Sequence, residues 1–155
     1  ISALLRERKE MFELEARRRG MRVGADLVRL PVIRDCSVAE TERIVGETLD
    51  FWAGLAKGPT AVICCNDFYG AVFLRVAAER GVKVPGRLSV VGTDNTPECE
   101  FAYPPLTSID HNTVEMEKLA VELLLKRIAS PGRPFVRISC GSSLVLRKSS
   151  GPAGI

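Results

Sequence analysis

The 155 residues are 46% hydrophobic and 26% charged with a net charge of +3, ordinary globular composition with room for one α/β unit rather than two complete domains. No run approaches the roughly 20 consecutive apolar residues of a membrane span, and ISALLRERKEMF is charged where a secretion signal carries its apolar run, so the chain reads as cytoplasmic. Five cysteines (Cys36, Cys64, Cys65, Cys99 and Cys140), odd in number and without paired spacing, read as reduced thiols; with His111 the single histidine, no metal site and no cofactor are expected.

In chain order, residues 3–20 read as a helix with Leu4, Leu5, Met11 and Phe12 on one face and Gly20 as its stop. Its cations, Arg6, Arg8, Lys9, Arg17, Arg18, Arg19 and nearby Arg22, carry most of the charge excess. No aromatic residues interleave them as in a nucleic-acid surface, and cations in a last turn complement the helix macrodipole. Residues 22–30 read as a strand. Ser37 with Glu40 forms a capping box, and the stripe Thr41, Ile44, Val45, Leu49, Trp52, Leu55 and Ala56 makes a helix that ends at Gly58-Pro59. TAVICC, at 60–65, is the near-continuous apolar run of a strand buried on both faces. Asn66 or Asp67 then caps a helix to about residue 80, and RLSVVG at 87–92 reads as another buried strand. Beyond Pro97 and Pro104-Pro105, the extended TSID leads into a helix at 113–129, capped by Asn112 with Glu115 and striped by Met116, Leu119, Ala120, Leu123, Leu124 and Ile128. SPGRP stops it, and FVRISC and SLVLRK read as two short strands before the tail.

This alternation predicts an α/β fold, a doubly wound parallel sheet with helices on both faces. Such sheets place a strand ahead of the first helix, so a strand upstream of residue 1 is expected. Ligands sit at the carboxyl ends of the strands; Asn66-Asp67 and Asp94-Asn95 follow two strands at the same edge, which is the expected cleft. No serine or cysteine elbow and no Gly-rich phosphate cradle is present in the sequence, so it reads as a binding protein and not an enzyme.

In order and spacing, PTAVICCNDFYGAVFLRVAAERGVKVPGRLSVVGTDN, PPLTSID, EKLAVELLLKRI and LVLRKSS resemble the second half of the ligand-binding core of lactose-repressor-like (LacI/GalR) transcriptional regulators, closely over 59–149 and loosely over 1–58. The resemblance implies a type I periplasmic-binding-protein-like fold, two α/β lobes with a small-molecule effector in the cleft between them. It also implies a homodimer and an N-terminal helix-turn-helix domain for operator DNA, expected outside this sequence. By the family pattern, residues 1–110 form the second lobe, 111–140 a crossover helix and strand belonging to the first lobe, and 141–155 a return segment and tail. A periplasmic sugar or solute receptor of the same fold is the alternative; free cysteines weigh against it.

The resemblance further implies four effector-binding residues. Asn66 matches the position whose amide contacts the effector, and Asp94 the carboxylate that accepts from sugar hydroxyls or purine N–H groups. Arg8 matches an arginine of the first helix that reaches the cleft, with Arg6 as its substitute if the register slips a turn. His111 lies at the crossover, where glutamine is frequent. Each has a plain structural alternative: a helix cap for Asn66, a loop residue for Asp94, a solvated cation for Arg8 and a packing role for His111. Thr93 and Cys36 stand where relatives place aromatic rings, so stacking on a sugar or base is expected to be weak. Helices at 38–57 and 68–80, with Trp52, Phe68, Tyr69 and Phe73, are expected to offer surface to a twofold mate.

Overall fold

A computed structural model describes residues 3–24, 27 and 37–152. Along them run α1 (Ala3–Arg18), α2 (Val38–Ala53), β1 (Ala61–Ile63), α3 (Asp67–Glu79), β2 (Ser89–Thr93), α4 (Glu98–Phe101), β3 (Thr107–Asp110), α5 (Thr113–Ala129) and β4 (Ser143–Val145). The sheet order is β1-β2-β3-β4; the first three strands are parallel, and β4 runs antiparallel to β3. The expected parallel α/β sheet is therefore present, with one antiparallel strand added where the chain returns after α5.

Helix α2 begins where the sequence says it should, because Ser37 Oγ accepts from Glu40 N at 3.3 Å and satisfies one orphan amide of the first turn. It buries Val45, Leu49 and Trp52 against α3, whose Phe73, Leu74, Val76 and Ala77 form the centre of the core with Val90 of β2 and Leu106. Trp52 and Phe73 meet in this interior with ring centroids 6.3 Å apart. These two rings are thus spent within the chain and offer nothing to a twofold mate, a correction to the expected interface. Two glycines let α3 lie close on the sheet. A Cβ on Gly70 would stand 2.7 Å from Leu106 Cδ2, and one on Gly92 would stand 2.9 Å from the same atom and collide with Asp67 Oδ1.

Several expectations are not met among the described residues. TAVICC is not buried on both faces: β1 spans three residues, and Ile63 stays 51% exposed at the edge of the described sheet. FVRISC is not a strand. Its Phe135 is 93% exposed, and alternation cannot hold an extended segment without a strand beside it. SLVLRK shortens to Ser143–Val145. On α1, Met11 and Phe12 of the expected apolar face are exposed while Leu5 is half-buried, and among the described side chains of the helix Ala16 is the buried one. Asn112 holds the cap position of α5 in left-handed backbone but makes no side-chain cap bond; its backbone N–H donates to Asp110 Oδ1 at 2.6 Å. Most of the strand expected at 22–30, and Cys36, lie outside the described residues, while 22–24 form no strand. Helix α4 is a single turn with no side-chain cap, so no local sequence signal marks it.

Candidate functional site

At the carboxyl ends of β1, β2 and β3 the chain presents Asn66, Asp94 and His111, and α1 brings Arg8 to the same edge. Arg8 Nη1 donates to Cys65 O at 3.2 Å, and its Nη2 lies 3.4 Å from His111 Nε2. Because a guanidinium can only donate, this contact makes Nε2 the acceptor, which leaves the proton of a neutral ring on Nδ1. Nδ1 is 3.0 Å from Ser142 Oγ and donates there in that tautomer. Asp94 Oδ1 lies 3.9 Å from His111 Nε2, with about half of its side chain open to solvent. Arg8, His111 and Asp94 are therefore brought together by three separate elements. Arg8, rather than Arg6, is the α1 arginine that reaches them.

Asn66 sits on the same edge in its structural role. Its Oδ1 accepts from Tyr69 N at 3.0 Å as the N-cap of α3, which commits that oxygen to the cap and leaves the amide nitrogen outside that bond. The surface so formed can accept from ligand hydroxyls through Asp94 and donate through Arg8 and Asn66. That suits a polar molecule with several hydroxyl or carbonyl groups. Ser142, on the segment leading into β4, was not singled out in the sequence; no local pattern marks it, because only the return of the chain beside β3 brings it to His111.

Behind the cleft edge is a set of polar groups that the motifs did not reveal. Asn95 Nδ2 donates to Asp110 Oδ2 at 3.1 Å, and Arg147 Nη2 donates to Asn95 Oδ1 at 2.9 Å while its Nη1 donates to Leu106 O at 2.9 Å. Asn95 is thereby tied both to the end of β3 and to the segment after β4. The sequence signal available for it was the polar pair Asp94-Asn95 at a strand end; for Arg147 there was none.

Cys64, just beyond β1, has its side chain buried, whereas Cys65 is exposed, the alternation of an extended backbone continuing past the strand. Burial pushes the Cys64 thiol from its ordinary 9.0 up to about 12, with Cys65 and Asp67 adding to the shift. The fold thus favours the neutral thiol. The stability this contributes is complete below pH 9 and is lost as pH rises from 9 towards 12. Alkylation of native protein at pH 8, mapped by peptide mass spectrometry, should leave Cys64 unmodified; labelling as fast as in urea would contradict its burial.

A family model described as a periplasmic binding protein-like domain matches residues 3–150. The HTH-type transcriptional repressor PurR of Histophilus somni is 41% identical over 93 residues, 60% of this chain and 28% of that protein. Among solved structures, the transcriptional regulator CelR in its cellobiose complex superposes with a TM-score of 0.74 at 29% identity, over 87% of this chain and 39% of its own. A LacI-type transcription regulator from Bifidobacterium animalis subsp. lactis does so with a TM-score of 0.75 at 28% identity, over 88% and 47%. The chain thus spans less than a third of that curated repressor's length and less than half of either solved chain.

Proposed function

The chain belongs to the periplasmic binding protein-like domain family, in its lactose-repressor (LacI/GalR) branch, and from that premise we propose that it is the effector-sensing part of a cytoplasmic transcriptional regulator that binds a small polar molecule such as a sugar or related metabolite. The observation that carries the reading is the convergence of Arg8, Asp94 and His111 at the carboxyl edge of a parallel sheet, where α/β folds bind ligands. The role is binding, with no bond made or broken. Effector entry biases the equilibrium between open and closed arrangements of two lobes by its differential affinity for them. Operator DNA would be read by a helix-turn-helix domain outside these 155 residues. The test is to purify the complete protein, identify the small molecules released from it by mass spectrometry, and add them back. Return of the ligand unchanged supports a sensor, and return of a chemically altered product would overturn it.

Residues 1–110 serve as the second lobe of this reading, 111–140 as the crossover to the first lobe and 141–155 as the return. Two features support the division: none of the 17 residues of α5 is buried, and β4 comes back beside β3 to rejoin the second lobe's sheet. The regulator acts as a homodimer. With Trp52 and Phe73 internal, the aromatic surface left for a mate includes Phe51, Phe68, Phe101 at the end of α4 and Tyr103 just beyond it, the last two more than 80% exposed. Light scattering of the complete protein at micromolar concentration should give twice the chain mass, and a monomer would remove the dimer from the account.

A further inference from the structure

Asp67 is 1% exposed, and both of its oxygens accept hydrogen bonds. Oδ1 accepts from Ser108 Oγ at 2.6 Å, and Oδ2 from Thr96 N at 2.7 Å and Thr96 Oγ1 at 3.2 Å. Having donated its proton to Asp67, the Ser108 hydroxyl uses a lone pair to accept from Asn95 N at 3.1 Å. The carboxylate therefore holds the amide of Thr96 directly and that of Asn95 through one hydroxyl. The amide of Asp94 is held by Ile109 O of β3 at 2.8 Å. These three bonds enclose two consecutive residues in left-handed backbone, Asp94 at φ 103° and Asn95 at φ 53°. Residues other than glycine seldom hold that conformation without outside support.

We infer that Asp67 is the positioning residue of the effector site: its buried carboxylate holds the left-handed Asp94–Asn95 turn and so fixes the direction in which Asp94 offers its own carboxylate to the ligand. The inference rests on reading Asp94 as ligand-binding, and Asp67 acts only through it. Aspartate suits the position because both oxygens accept; the Nδ2 of an asparagine would either face Thr96 N, donor against donor, or turn the Ser108 hydroxyl from donor to acceptor, and in both cases the charge that strengthens these bonds is lost. Gly92 is part of the same arrangement, since any Cβ there would occupy the space of Asp67 Oδ1.

Hydrogen exchange of the complete protein, read by mass spectrometry at fragment resolution, tests this without any ligand. Asp67→Asn is expected to speed exchange at 95–96 by roughly tenfold to a hundredfold, the loss of a charge-assisted hydrogen bond, while α2 and α3 keep wild-type protection. Ser108→Ala, a smaller change for the case in which Asp67→Asn does not fold, is expected to speed exchange at Asn95 and spare Thr96. Wild-type exchange at 95–96 in a folded variant overturns the inference. So does acceleration spread evenly over α2, α3 and β2, which would mark Asp67 as a general support of the core. Asp94→Asn, which keeps the three backbone bonds, should leave this exchange unchanged, so a failure of Asp94 as ligand contact appears in ligand titration and not in this measurement.

Discussion

Gly92→Ala is expected to lower the stability of the protein by about 3–5 kcal/mol, a large share of the roughly 5–15 kcal/mol that holds a domain together. The added methyl would stand 2.9 Å from Leu106 Cδ2 and collide with Asp67 Oδ1. Neither neighbour can yield cheaply. Leu106 is fully buried, and moving the Asp67 carboxylate breaks bonds to Ser108 and Thr96. Overpacking alone costs about 1–3 kcal/mol, and each buried polar group left without a partner adds about 1–3 kcal/mol. For a chain of this size the melting temperature should fall by roughly 10–20 °C in thermal unfolding. A fall of less than about 2 °C would show that α3 is free to lift away from β2.

Residues 1–155 expressed alone are expected to self-associate. Among the residues of α5, Val121, Leu124, Leu125 and Ile128 are each more than half exposed, and Phe135, Val136, Leu144 and Leu146 extend the apolar surface along the returning chain. Each large side chain among them forgoes up to about 1.5–3 kcal/mol of burial while it faces water, and Val121, Leu124, Leu125 and Ile128, at i, i+3, i+4 and i+7, share one helix face that association would cover. Sedimentation velocity should show mass rising with concentration in the micromolar range. Leu124→Glu with Ile128→Glu should remove association beyond the dimer without lowering the melting temperature, because none of α5 supports the core. A monomeric wild-type fragment would mean that these side chains find cover within the chain.

The helices were legible because their signals are local. The capping box of Ser37 and Glu40, the cap of Asn66 and the stripe of α2 act within one or two turns, so the chain reads them before any tertiary contact forms. Strand TSID appears over the same residues that the sequence marked. What failed depends on neighbours far along the chain. FVRISC and the outer half of TAVICC carry strand-like composition, yet composition supplies no partner for a backbone edge. The resemblance pointed to Arg8, Asp94 and His111, and the structure gathers those three. It could not separate Asn66 the cap from Asn66 the ligand contact, since the oxygen bonded to Tyr69 N leaves the amide nitrogen for the second role. Asp67 read as one of two caps; its partners Thr96 and Ser108 lie 29 and 41 residues away, beyond any local pattern.

The account turns on Asp94 as the group that holds an effector. Isothermal titration of the complete protein with the molecule that mass spectrometry recovers from it, compared with the Asp94→Ala variant, measures this directly. The variant loses at least one charge-assisted hydrogen bond to the ligand, worth about 1.5–3 kcal/mol. Asp94 is half open to solvent and supports no part of the core, so its replacement should weaken affinity by about tenfold to a hundredfold and leave the melting temperature within about 2 °C of wild type. Unchanged affinity in the folded variant would contradict the account and remove Asp94 from the site.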